Sequence, residues 1–153
     1  MCGIAGLIHK GKSSNIGGEL TSMLQALKHR GPDSTGFALY GNGGPDKYVM
    51  RFKVAEQEDA GKGFDIQRQM KERKAAVDER LKEMGASVAA EQQATVYAYR
   101  YVFMFAGDMK RLSDYIEDID GAEILSIGHA LELIKDLGDA KTVSGQYGLG
   151  GRW

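Results

Sequence analysis

The alternation of apolar and polar positions predicts a mixture of strands and helices along the chain. Residues 3–8 form a short apolar run interrupted by glycine, which favours a buried strand over a helix. Apolar side chains then recur at helical spacing at Leu20, Met23, Leu24 and Leu27. This helix must end near Arg30, because Pro32 disfavours helical backbone at the residue before it. We therefore expect a turn to present the Arg30 side chain.

Two strand-like runs follow, at residues 35–40 and 47–54. The segment between them, residues 41–46, is rich in turn-forming residues and contains the chain's Asn42-Gly43 pair. Short strands joined by such a segment are typical of a β-hairpin. We accordingly predict that these two strands pair with each other in antiparallel fashion.

Residues 56–93 carry nine acidic and seven basic side chains, which indicates the solvated face of a helix. The apolar residues at helical spacing within this charged segment are Ile66, Met70, Val77, Leu81, Met84 and Val88. Packing against the protein's own core is the simpler interpretation of this stripe. Docking onto another subunit is the functional alternative.

Residues 94–106 are rich in aromatic and β-branched side chains and predict a strand. Alternate aromatic residues share one face of it: Tyr97, Tyr99, Tyr101, Phe103 and Phe105. That face could stack on a nucleobase, but buried packing is favoured because Arg100 is the one basic residue interleaved with the aromatics. Further on we predict a helix capped by Asp108, a strand at 122–127 and a helix opened by Asp139, while 130–137 fits a helix or a strand equally.

Composition and charge narrow the classes of function. The formal net charge of -1 and a pI near 6.3 provide no electrostatic basis for binding nucleic acid. Without an apolar run of about 18 residues, the sequence predicts no membrane span. Its histidines are isolated from other ligand residues and its glycines lack phosphate-cradling spacing, so no metal or other cofactor is expected. A single cysteine fits a reducing compartment, and the cytoplasm is the expected location.

Cys2, that single cysteine, directly follows the initiator methionine. Removal of Met1 would place a thiol and a free α-amine on one residue. An α-amine titrates near pH 7.7 to 8.0, roughly, and can accept a proton at neutral pH, whereas an ordinary thiol with a pKa of about 8.5 needs a base to become a nucleophile. Packing as a small buried hydrophobe is the alternative role for a lone cysteine.

Two motifs together resemble a known family. The chain opens with Met-Cys-Gly-Ile-Ala-Gly, and one helix later it has His29-Arg30-Gly31-Pro32-Asp33-Ser34, followed by Gly-Phe-Ala. This combination resembles class II glutamine amidotransferases, which are N-terminal nucleophile hydrolases. The rest of the chain is similar to the glutamate-synthase-related branch, such as the amidotransferase subunit of N-methylglutamate synthase. The fold that this implies is α+β, with stacked antiparallel sheets flanked by helices.

The resemblance also implies roles for individual residues. Cys2 would be the nucleophile and its α-amine the base, while Arg30, Gly31 and Asp33 would shape the glutamine pocket. The thiolate would release ammonia from glutamine and form a γ-glutamyl thioester that water hydrolyses. A partner synthase subunit would consume the ammonia.

Two family segments are missing from the sequence. These are a Gly-His-x-Arg-x-x-Thr segment, whose arginine binds the glutamine carboxylate, and a later Asn-Gly pair that forms the oxyanion hole; Gly128-His129 is followed by Ala130 and does not match the first. We therefore expect an incomplete fold divided as 1–54 (strand, helix and hairpin), 55–120 (helical insert and strand) and 121–153 (a truncated end). Open sheet edges would favour self-association. Such a chain would be at best a weak glutaminase, and a non-catalytic binding or scaffold module is the alternative.

Overall fold

The computed structural model describes residues 2–12, 15–31, 33–41 and 43–150. Helices and strands are both present, which makes the fold α+β. Over the described residues the elements are α1 (Ile16–Ala26), a 3-10 turn (Lys28–Arg30), β1 (Ser34–Tyr40), β2 (Tyr48–Lys53), α2 (Phe64–Glu83), β3 (Ser87–Gln93), β4 (Ala98–Met104), α3 (Met109–Glu117), β5 (Glu123–Gly128), β6 (Leu131–Leu137) and α4 (Ala140–Tyr147).

The chain divides into two compact units. The terminal unit comprises the described residues up to Leu39 together with those from Ile134 onward, and the central unit is Tyr40–Leu133. The central unit is thus inserted in sequence between the two parts of the terminal unit. Strands β1 and β6, which carry the chain into and out of the insertion, pair in a two-stranded sheet.

In the terminal unit, α1 packs against α4 through small side chains. Thr21 Oγ1 donates to the carbonyl of Gly17 over 2.6 Å and lies 2.9 Å from Ser144 Oγ. Gly17 itself is so close to the chain after α4 that an added Cβ would lie 2.1 Å from the Leu149 carbonyl oxygen. A side chain cannot fit there, so this glycine sets the distance between α1 and Leu149.

The central unit has the order β-α-β-β-α-β, and its strands form a four-stranded antiparallel sheet in the order β3-β4-β2-β5. This order is the ferredoxin-like split β-α-β arrangement. The sequence predicts a helical stripe that includes Val88, and this is wrong at its end: α2 ends at Glu83, Gly85 has a positive φ of 83°, and Val88 lies in β3.

One face of this sheet packs against α2. Met50 of β2 is opposite Tyr101 of β4, and Phe52 is opposite Tyr99. Tyr101 is fully buried and donates from its hydroxyl to Asp78 of α2 over 2.6 Å. The prediction of buried packing for the aromatic face is confirmed for Tyr101 and for Phe103, which is also fully buried.

The other face of the sheet holds a buried charge cluster. Arg51 and Arg100 are opposite each other on β2 and β4, one residue along from the Met50–Tyr101 pair, so both side chains lie on the face away from α2. Glu132 of β6 accepts from Arg51 Nε over 2.7 Å and from Arg100 Nη2 over 2.7 Å. The carboxylate is 5% exposed and the Arg51 side chain 7%. The cluster therefore ties β6 to the central unit's sheet.

Two predicted features are not formed. Strands β1 and β2 do not make a hairpin, because β1 pairs with β6 while β2 pairs with β4 and β5. Residues 3–8 form no strand, and the side chains of Ile4 and Ile8 are each 93% exposed. Asn42, half of the predicted turn pair, lies outside the described residues. The ambiguous stretch 130–137 is strand β6.

Local capping signals, by contrast, are confirmed. Asp108 accepts a hydrogen bond from the backbone N–H of Arg111 at the start of α3. Asp139 does the same for Thr142 at the start of α4. Both caps follow from short-range chemistry that a sequence displays directly.

Candidate functional site

The residue after the candidate nucleophile lies against the turn that carries Arg30. A Cβ placed on Gly3 would be 3.1 Å from Leu27 Cβ and 3.6 Å from Arg30 Cβ. The first of these contacts is closer than side chains normally approach, so the chain at Gly3 packs onto the end of α1 because it has no side chain. The two motifs at either end of residues 2–34 thereby meet at one place in the terminal unit.

Arg30 is the last residue of the 3-10 turn that follows α1. The turn is held by backbone hydrogen bonds from Arg30 N to Leu27 O over 2.9 Å and from Gly31 N to Lys28 O over 3.3 Å. The Arg30 side chain is exposed. Pro32 of the same motif lies outside the described residues.

Asp33 follows this turn and joins it to β6. Its backbone carbonyl accepts a hydrogen bond from Gly138 N over 3.0 Å, while its side chain is exposed. Two residues after Asp33, Thr35 Oγ1 donates a hydrogen bond to the Gly138 carbonyl over 2.8 Å. These bonds fix the start of β1 against the end of β6, which places Asp33 close to the start of α4.

A small pocket of about 80 Å³ lies at this junction within the terminal unit. Typical ligand pockets enclose roughly 300–1,000 Å³, so this one is a fraction of a substrate-sized site. Its lining residues are Gly3, Leu24, Leu27, Lys28, Gly31, Ser34, Thr35, Gly36, Asp139 and Ala140. Cys2 and Arg30 do not line it, but Gly3 and Gly31, their neighbours in the chain, both do.

The polar wall of the pocket is fixed by Asp139. Its carboxylate accepts from Gln25 Nε2 over 2.9 Å, and from the N–H and hydroxyl of Thr142 over 3.0 and 2.8 Å. The Gln25 bond first, and then the two from Thr142, lower the pKa of Asp139 to about 2. Gln25 also accepts from Lys141 N over 3.1 Å, so its amide joins α1 to the start of α4. No motif or spacing in the sequence predicts this role of Gln25.

Of the residues predicted for the site, Arg30 and Gly31 lie beside Gly3, and Cys2 is an exposed free thiol bonded to Gly3. The side chain of Asp33 is exposed and does not line the pocket. Met1, whose removal the chemistry requires, lies outside the described residues. Within the described part of the chain, no group of three or more His, Cys, Asp or Glu residues could hold a metal ion. Nor does any described helix have the length and hydropathy needed to cross a membrane.

Comparison with known proteins provides one relative of named function. The chain is 33% identical over 150 residues to a Methanothermobacter thermautotrophicus protein named "Putative glutamine amidotransferase". The match covers 96% of this chain and 47% of the relative, so the chain spans about half the length of that protein. No protein-family model matches the chain.

Among solved structures, the chain is similar to one from a complex of the CheA P2 domain with the response regulator CheY of Thermotoga maritima. The match covers 60% of this chain and 96% of that one, at 13% identity and a TM-score of 0.37. A similarity this low carries no argument about fold or function.

Proposed function

We propose that the chain is the nucleophile-bearing part of a class II, N-terminal nucleophile glutamine amidotransferase. The observation that carries this proposal is the packing of Gly3 on Leu27 and Arg30, which joins the Cys2 motif to the Arg-Gly-Pro-Asp motif. The relative named as a glutamine amidotransferase supports the same reading.

In the proposed reaction the α-amine of Cys2, freed by removal of Met1, takes the thiol proton. The sulfur attacks the side-chain amide carbon of glutamine, the carbon–nitrogen bond breaks, and ammonia leaves with the proton. Water then hydrolyses the thioester, which releases glutamate and restores the thiol. Arg30 supplies positive charge beside the reacting groups, and Gly31 and Asp33 keep the turn in place. A synthase partner would use the ammonia.

Turnover by the 153-residue chain is expected to be slow. Its sequence has neither the Gly-His-x-Arg segment nor a later Asn-Gly pair, and loss of one oxyanion donor alone costs roughly 100- to 1,000-fold in rate. Rapid release of glutamate by micromolar protein would contradict this expectation.

The decisive test measures labelling of Cys2, which does not depend on turnover. The chain is incubated with a glutamine analogue whose side-chain amide is replaced by an electrophilic diazoketone, and the intact mass is recorded. We expect loss of Met1, one adduct on Cys2, protection by glutamine, and no adduct in Cys2→Ala. Arg30→Ala should slow labelling by roughly 10- to 100-fold, the equivalent of one charge-assisted contact.

Arg111→Ala is the matched control, because Arg111 is also exposed and lies on α3 of the central unit. It should label at the rate of the unchanged chain. Retained Met1, or labelling that glutamine does not slow, would contradict the proposal.

A non-catalytic binding or scaffold role is the second candidate. It is favoured by one observation: Cys2 is exposed and does not line the pocket. Retention of Met1 in the mature chain would support this role over the enzymatic one, since the α-amine of Cys2 would then be blocked.

A further inference from the structure

The central unit has a strand edge that no described segment of the same unit pairs with. In the sheet order β3-β4-β2-β5, strand β3 pairs with β4 on one side and forms the edge on the other. Six of the seven residues of β3 are exposed and the seventh, Gln92, is partly exposed. An edge of this kind presents a row of backbone N–H and C=O groups that a further strand can bind.

Proteins normally protect such edges with proline, lysine or an irregular backbone. Strand β3 has no proline, lysine or arginine, and its one charged residue, Glu91, is paired with Lys74 of α2 over 2.9 Å. The pairing with β4 has an irregularity between Val88 and Ala90. Beyond it the register is regular over Ala90–Gln93, which leaves an unprotected stretch of edge.

The opposite edge of the same sheet is formed by β5, whose residues are less exposed than those of β3. The residues of β5 after Glu123 are partly covered, and Ser126 Oγ accepts a hydrogen bond from the backbone N–H of Leu133. The start of β6 thus contacts β5 through the Ser126 side chain, whereas no described segment other than β4 forms a hydrogen bond with the backbone of Ala90–Gln93, which leaves the outer side of β3 unpaired.

We propose that β3 pairs with β3 of a second copy of this chain, in antiparallel fashion, about a two-fold axis at Gln92. Directly opposite residues of a sheet share a face, so the axis must pass through a residue. An axis at Glu91 would oppose two carboxylates. An axis at Gln92 places Gln92 opposite Gln92, Glu91 opposite Gln93 and Ala90 opposite Ala94, with no like charges facing. The two four-stranded sheets become one eight-stranded sheet with closed two-fold symmetry.

The test is the oligomeric state of the 153-residue chain by analytical ultracentrifugation, together with hydrogen exchange of the β3 amides. We expect a monomer–dimer equilibrium and slower exchange in β3 as the protein concentration rises. Ala90→Lys combined with Gln92→Lys adds positive charge on the face opposite the helices, beside Arg100, and should raise the dissociation constant by roughly tenfold or more.

The matched control is Phe64→Lys combined with Ala75→Lys. It adds the same charge at two exposed positions of α2 that do not lie on β3. Circular dichroism and thermal melting verify that both double variants fold. A chain that remains monomeric at about 100 μM overturns the proposal, as does a dimer that the strand variant leaves intact or that the control dissociates. The readout is independent of Cys2, so this result does not depend on the proposed reaction.

Discussion

Single glycines determine contacts in the terminal unit that no other residue would allow. Gly3 and Gly17 both sit where an added Cβ would meet a neighbouring residue at or below normal contact distance. These positions are not turns, and neither residue has a positive φ. Their role is close approach, which makes the effect of adding a methyl group calculable from distances alone.

Gly17→Ala should destabilise the protein, because the new Cβ would lie 2.1 Å from the Leu149 carbonyl oxygen. Relief of the clash requires the backbone to shift, at a cost of about 1–3 kcal/mol that outweighs the helix-propensity gain of about 1 kcal/mol. Gly145→Ala in α4 is the control, since its Cβ meets nothing within 4 Å. Urea denaturation should show the control gaining stability; an equal gain in Gly17→Ala would contradict the packing described.

The lowered pKa of Asp139 predicts how the stability of the protein changes in acid. Its folded-state pKa is lowered from the ordinary 3.8 to about 2, so its contribution to stability is complete above the ordinary value and is lost as the pH falls toward 2. Asp139→Asn should therefore be less stable than the unchanged chain at pH 6, with a difference that shrinks between about pH 4 and 2. Urea melts of both proteins across this range provide the measurement. A difference independent of pH would mean that the carboxylate charge is not involved.

At the scale of elements, the sequence predicts what is local and misses what is distant. The carboxylates of Asp108 and Asp139 each accept a hydrogen bond from the backbone N–H three residues later in the chain, and both caps are predicted correctly. The partner of β1 is β6, about 90 residues away, and no turn signal between β1 and β2 could reveal it. Arg51 and Glu132 are charged residues that a sequence places at the surface, yet both are buried because they pair with each other.

At the candidate site the same division holds. The motifs predict Cys2 and Arg30 as site residues, and the turn that presents Arg30 follows from Pro32 and the end of the apolar stripe. The contact of Gly3 with Leu27, the role of Gln25 and the position of Asp139 on the pocket depend on how α1 and α4 pack. Such contacts between distant segments leave no periodic signature.

The cluster that ties β6 to the central sheet predicts a large effect for Glu132→Gln. Burial alone would raise the pKa of Glu132, but the hydrogen bond from Arg100 and the positive charges of both arginines outweigh burial and lower it. In Glu132→Gln the negative charge of the carboxylate is lost, and the cluster holds two guanidinium groups with no carboxylate to pair with them. Loss of one partner from a buried pair costs about 3–5 kcal/mol.

The control for Glu132→Gln is Asp114→Asn, which breaks a pair with Lys110 whose side chains are 61% and 81% exposed. Exposed pairs contribute roughly 0–1 kcal/mol, so this change should be small. Thermal and urea denaturation compare the two. Equal effects would show that the Glu132 cluster is not buried in solution.

At the scale of the whole molecule, the central unit has a core of its own. Its fully buried side chains come from both the sheet and the helices: Met50, Phe52, Val77, Leu81, Tyr101, Phe103, Leu112 and Ile116. All of them lie within Tyr40–Leu133. A domain with its own core can fold alone.

Residues 40–133 expressed by themselves are therefore expected to unfold cooperatively, with a far-ultraviolet spectrum that contains both helix and strand. Glu132→Gln should lower the melting temperature of this fragment as it does that of the longer chain, because Arg51, Arg100 and Glu132 are all retained. A fragment without a thermal transition would show that its core needs the rest of the protein.

The chain enters and leaves the central unit at adjacent points, since Gly41 N donates to the Ala130 carbonyl over 2.8 Å. Residues between Gly41 and Ala130 can therefore be deleted, lengthened or exchanged at one junction. The paths of β1 and β6, which lead to that junction, stay the same. Evolution could thus have grafted the whole unit into an older protein in one event, and an engineer could replace it with a short loop or a foreign domain at the same join.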